Sequence, residues 1–93
     1  MAQFILFTNP VGQPYVLNLA YVEKLFVGDF VLSPTEQWPC LIAVDRDGSH
    51  ALLRGEPQML RRALHDTIWI LAQGGSVRIY PDGKVEPYDF VTE

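Results

Sequence analysis

The chain has 93 residues, 48% of them hydrophobic and 19% charged, a makeup that excludes disorder and suits one small domain spanning residues 1–93. Its net charge of −4 argues against a nucleic-acid backbone as partner, because that needs clustered Lys and Arg. A single cysteine, Cys40, excludes an internal disulfide, and no run approaches the roughly 20 apolar residues of a membrane span, so a reducing, cytoplasmic setting away from membranes is expected.

The first residues are apolar but lack the basic start of a signal peptide. Residues 3–8 read as a strand with apolar side chains on both faces, Phe4 and Leu6 against Ile5 and Phe7, which predicts cover on both sides. Turn chemistry at 9–13 leads to a second strand at 14–18, forming a hairpin with the first. Asn18 can bond the local backbone, which predicts a short turn through Leu19, Ala20 and Tyr21. A third strand follows at 22–27, with Val22, Lys24 and Phe26 on one face and Glu23, Leu25 and Val27 on the other. Residues 28–39 read as the longest irregular stretch. They carry Phe30, Val31, Leu32 and Trp38, more apolar surface than an idle exposed loop holds. That predicts either a loop folded over a sheet edge or a contact loop for another protein. Residues 41–45 and 49–54 flank the turn Arg46-Asp47-Gly48, and Asp-Gly is a strong hairpin signal.

One helix is predicted, at about 57–73. Leu60, Ala63, Leu64, Thr67, Ile68 and Leu71 recur at the spacing of one helical face, with Met59 and Ile70 widening it. Pro57 suits the first turn, and Gly74-Gly75 suits the exit. Trp69 falls opposite this stripe, among Gln58, Arg62, His65, Asp66 and Gln73. An indole on a polar face forgoes a large burial, so the chain's own tail or a partner should cover it. An Arg62–Asp66 pair one turn apart is also expected. A second Asp-Gly hairpin joins 76–80 to 84–91 through Pro81-Asp82-Gly83, and Pro87 predicts an edge strand there. The aromatics Tyr88 and Phe90 give the tail enough surface to dock. The reading is therefore α+β: about seven short strands in hairpins, forming mainly antiparallel sheet, plus one amphipathic helix.

The run Gly12-Gln13-Pro14-Tyr15-Val16-Leu17-Asn18, followed by Val22-Glu23-Lys24-Leu25, resembles a pattern in the small flagellar FlbD-like proteins. There a Gly-containing turn leads to a strand ending Leu-Asn, a Val/Ile-Glu strand, a hairpin and a final helix. The likeness covers about residues 4–71; this chain differs in carrying 28–39 in place of a short turn and in continuing from 76 to 93. The resemblance implies a small, cytoplasmic, non-enzymatic accessory protein.

No catalytic arrangement is legible. His50 stands on a strand and His65 on the polar helix face; with Cys40 they lack the spacing of metal ligands or of a nucleophile and its base. Gly74-Gly75 follows the helix, whereas a phosphate cradle needs glycines before one. No catalytic residue, metal or cofactor is assigned. Arg61 and Arg62, with Arg54 and Arg78, form a candidate basic spot; a nucleic-acid-binding regulator is the least supported use of it. Asp29, Glu36, Asp45, Asp47, Asp82, Glu86, Asp89 and Glu93 form candidate acidic edges, as in an acidic inhibitor of the phage-decoy type that occupies a basic surface. The first expectation is a non-enzymatic protein-interaction module that self-associates or binds a protein partner. Its expected contacts are Phe30, Trp38, Arg62, His65, Trp69, Tyr88 and Phe90.

Overall fold

Among the described residues, two sheets share one hydrophobic core, and one α-helix closes it. A computed structural model of the chain describes residues 2–89, so Phe90 lies outside the described residues. The elements are β1 (Phe4–Thr8), β2 (Pro14–Asn18), β3 (Val22–Ser33), β4 (Glu36–Asp45), β5 (Gly48–Arg54), α1 (Pro57–Ala72), β6 (Ser76–Ile79) and β7 (Val85–Tyr88). The larger sheet has the order β2-β1-β6-β7 and the smaller β3-β4-β5. All pairings are antiparallel except β1 with β6, which run parallel with Ile5 opposite Val77 and Phe7 opposite Ile79. Pro87 sits on edge strand β7, where its missing donor is tolerated.

Local chemistry sets the turns. In the β1–β2 loop, Asn9 N–H donates to the Gln13 carbonyl (2.8 Å) and Gly12 N–H to the Asn9 carbonyl (2.9 Å). The β6–β7 loop repeats this plan with Tyr80, Lys84 and Gly83. Each five-residue loop sets a proline at its second position and a glycine at positive φ at its fourth. Gly83 has a second role: an added Cβ would stand 2.7 Å from the Met59 sulfur, so its bareness lets α1 settle against the turn. A 3-10 turn at Leu19–Tyr21 follows β2, and the Asn18 side chain accepts the Ala20 N–H at 2.9 Å, as expected.

Three expectations are corrected. Residues 28–39 are not an irregular loop; β3 runs on to Ser33, the chain turns, and β4 begins at Glu36. Phe30 stands opposite Trp38 and Gly28 opposite Cys40. Glycine and two prolines mask the strand pattern here. Pro34 lies in the turn. The Pro39 carbonyl accepts Gly55 N–H at 3.3 Å, so the proline faces away from β3 and the β3–β4 ladder loses no donor. Second, a bulge between Val22 and Lys24 inserts one extra residue, which reverses the alternation and lets Val22 join Leu25 and Val27 against the core. Third, Ile68 is not a core residue. It is 50% exposed, because the buried stripe of α1 is Leu60, Ala63 and Thr67 with Met59 and Ile70 beside it.

The core gathers Ile5, Phe7 and Leu17 from one sheet and Leu41, Ala43 and Leu53 from the other, capped by Leu60 and Ala63. A smaller cluster lies on the opposite face of β4: Cys40, Ile42 and Ala51, with Phe30, Trp38 and Val44 packed on it. The exit of α1 is tied down by Gln3, whose Nε2 donates to the carbonyls of Leu71 (2.8 Å) and Gly75 (2.9 Å). The Leu71 carbonyl, in the last turn, also accepts the Gly74 N–H at 3.0 Å, so Gln3 joins the helix end to the start of β6. Phe4 N–H donates to Ser76 Oγ at 2.9 Å and completes the knot.

Two stability outcomes follow from the stripe. Leu60→Ala should cost about 2–5 kcal/mol in urea unfolding, whereas Ile68→Ala should cost less than about 1 kcal/mol. Thr67 is fully buried and its Oγ1 has no partner among the described residues. Thr67→Val should therefore stabilise the fold by about 1 kcal/mol, and a loss of stability would show that the hydroxyl is bonded.

Candidate functional site

Two features stand out, and they use different elements. The first is the outer face of α1. Trp69 is 64% exposed and Ile68, its neighbour in sequence, 50% exposed, so apolar area faces solvent in the C-terminal half of the helix. Arg61, Arg62 and His65 are exposed on the turns before it. The expected Arg62–Asp66 pair does not form among the described residues. Asp66 instead meets His65, with Nδ1 and Oδ1 3.6 Å apart. That pair is exposed and contributes little to stability.

The second feature is a cleft of about 330 Å³ between the β1–β2 hairpin and the smaller sheet. Phe7 and Ala51, both buried, line its depth. Phe30, Trp38 and His50 form walls, and the exposed Val11, Tyr15 and Leu32 form the rim. Phe7 and Tyr15 stack with ring centroids 5.7 Å apart. The Arg54 guanidinium lies 4.0 Å from the centre of the Trp38 ring. Such a cation over an indole face fixes the ring while leaving its edges free. His50 Nε2 lies 3.0 Å from Asp45 Oδ1. Asp45 also accepts the Asp47 N–H at 2.8 Å across the β4–β5 turn. The bond to His50 holds the Asp45 carboxyl below its usual range, so it is an anion at neutral pH and an acceptor only. The imidazole therefore carries a proton on Nε2.

The expected contacts thus divide. Phe30 and Trp38 face each other across a strand pair beside the cleft, and Arg62, His65 and Trp69 share the helix surface. Tyr88 is on edge strand β7, 5.9 Å from the Arg78 guanidinium, which also lies 5.1 Å from the Tyr80 ring. Arg54 and Arg78 are thus engaged by aromatic rings. Candidate acids are engaged too, among them Asp45 by His50, Asp82 by the Lys84 N–H (2.9 Å), and Glu86 by the Tyr80 hydroxyl. Sequence reasoning missed Ile68, Tyr15 and the His50–Asp45 pair. The last had a signal, a His and an Asp flanking a two-residue turn on adjacent strands. Cys40 is buried, and burial pushes its thiol pKa up, away from nucleophile behaviour. Among the described residues, no three His, Cys, Asp or Glu side chains gather as metal ligands would, and no helix is long and apolar enough to cross a membrane.

Comparison with protein-family models, curated proteins and solved structures finds no match for this chain.

The Tyr80 hydroxyl bond holds Glu86 below its usual carboxylate range, as His50 does for Asp45. A depressed folded pKa adds stability above the unfolded carboxylate range, and that stability is lost as pH falls through the folded value. Stability should therefore drop on acidification below about pH 4. Asp45→Asn combined with Glu86→Gln should flatten the drop in urea titrations at successive pH values.

Proposed function

We propose that this chain is a small non-enzymatic protein-interaction module that pairs with a second copy through the outer face of α1. The observation that carries the reading is the exposure of Trp69 and Ile68 side by side on a helix whose other face is fully used by the core. A chain of this size has little core to spare, and burying an indole and an isoleucine from each copy would add what the monomer lacks. Charge favours an antiparallel arrangement. With Ile68 and Trp69 at the centre, the Arg61-Arg62 pairs of two copies would stand roughly 20 Å apart at 1.5 Å of rise per residue. A parallel arrangement would set them face to face. Ala72, exposed one turn beyond Ile68, leaves room for close approach.

The test is sedimentation equilibrium. Wild type should show a reversible dimer. Trp69→Lys should weaken association by about 2 kcal/mol or more, roughly thirtyfold, while leaving the unfolding transition of the subunit nearly unchanged. A wild-type monomer throughout the micromolar range would remove the proposal.

A further inference from the structure

We propose that the aromatic cleft between the β1–β2 hairpin and the β3-β4-β5 sheet is a binding site for a small, neutral, planar aromatic molecule carrying one N–H or O–H donor. The cleft volume, about 330 Å³, is at the lower end of small-molecule sites, which fits a ligand of one or two rings. Its chemistry follows from the lining. Phe7, Tyr15, Phe30 and Trp38 present rings, and no Asp, Glu, Lys or Arg side chain is among the described residues lining it. A charged ligand would therefore lose hydration with no counter-charge to meet it, whereas a flat ring would gain stacking and edge contacts.

The polar atoms select the hydrogen-bonding type. Asn9 Oδ1 already accepts the N–H groups of Val11 (3.2 Å) and Gln13 (2.9 Å), and its Nδ2 donates to Gln13 Oε1 (3.4 Å). The Tyr15 hydroxyl donates to Gln13 Oε1 at 3.3 Å, and Ser49 is exposed to water. His50 remains. Its Nε2 is committed to Asp45, and Nδ1 has no partner among the described residues. In the tautomer whose single proton sits on Nε2, the ring offers Nδ1 as an acceptor, and the ligand that matches it supplies a donor.

The walls are held partly from outside the cleft and partly by one another. Arg54 braces Trp38, Asp45 orients His50, and the Phe7–Tyr15 stack fixes two further rings; neither Arg54 nor Asp45 lines the cavity. A site whose walls are already in place spends little of its binding free energy on ordering them.

The experiment uses indole and benzofuran, two bicyclic rings of similar shape of which only indole has an N–H donor. Each is titrated into the ¹⁵N-labelled full chain and followed by amide and indole N–H shifts. Saturable shifts should appear around Phe7, Tyr15, Phe30, Trp38 and His50 and leave Trp69 unmoved. Indole should bind about three- to tenfold more tightly than benzofuran. In His50→Phe that preference should vanish. Should the variant fail to fold, the wild-type comparison of the two rings decides alone. No saturable shift at millimolar ligand, equal affinity for the two rings, or shifts centred on Trp69 would each overturn the proposal. Because the readout is ligand binding to the cleft, it stands or falls independently of pairing through α1.

Discussion

The fold depends on how little width α1 offers to its core. The residues of the helix that are fully buried are Leu60, Ala63 and Thr67, one large and two small. Small side chains let the helix axis come close to strands of both sheets at once, so a single element can close a core that two sheets share. The same narrowness fixes what stays outside. Once the helix is turned so that Ala63 and Thr67 face inward, Ile68 and Trp69 are left exposed. The rotation is held at both ends: at the start by Met59, lodged against Gly55 and Gly83, and at the exit by Gln3. Exposure of the indole is thus a consequence of packing elsewhere.

Much of the architecture was legible in the sequence. The β1–β2, β4–β5 and β6–β7 hairpins announce themselves through Pro, Asp and Gly at positions where backbone geometry leaves few alternatives. The helix bounds were readable from Pro57 and Gly74-Gly75. The parallel pairing of β1 with β6 was not, because it joins segments some seventy residues apart and leaves no local signature. Alternation along β3 misled at Glu23 because one inserted residue reverses which side is inward. The periodicity of α1 misled at Ile68 because leucine and isoleucine count as core wherever they recur, while the stripe chosen by packing runs through alanine and threonine. In each instance a long-range contact overrode a pattern that was locally sound.

The candidate sites show the same division. Trp69 was conspicuous from sequence, since an indole on a polar helical face is a local anomaly. The aromatic cleft was not, because its walls come from β1, β2, β3, β4 and β5 and meet only through the tertiary fold. Phe30 and Trp38 could be singled out as apolar residues in need of cover. Their neighbours Tyr15 and His50 could not be attached to them. β4 makes the cleft possible: it is apolar on both faces, so one face builds the core and the other a second cluster on which the aromatic rings sit.

That second cluster has Cys40 at its heart, with no accessible surface and with its thiol held in the protonated form by burial. Alkylating reagents attack the thiolate and must reach the sulfur. Reaching it requires the side chains over that face to move: Phe30 and Trp38 pack on the cluster, and the Phe26 ring is folded down over Gly28, which stands across from Cys40. The lone sulfur is therefore a chemical clock built into the sheet: the pace at which it is capped reports how often its cover opens.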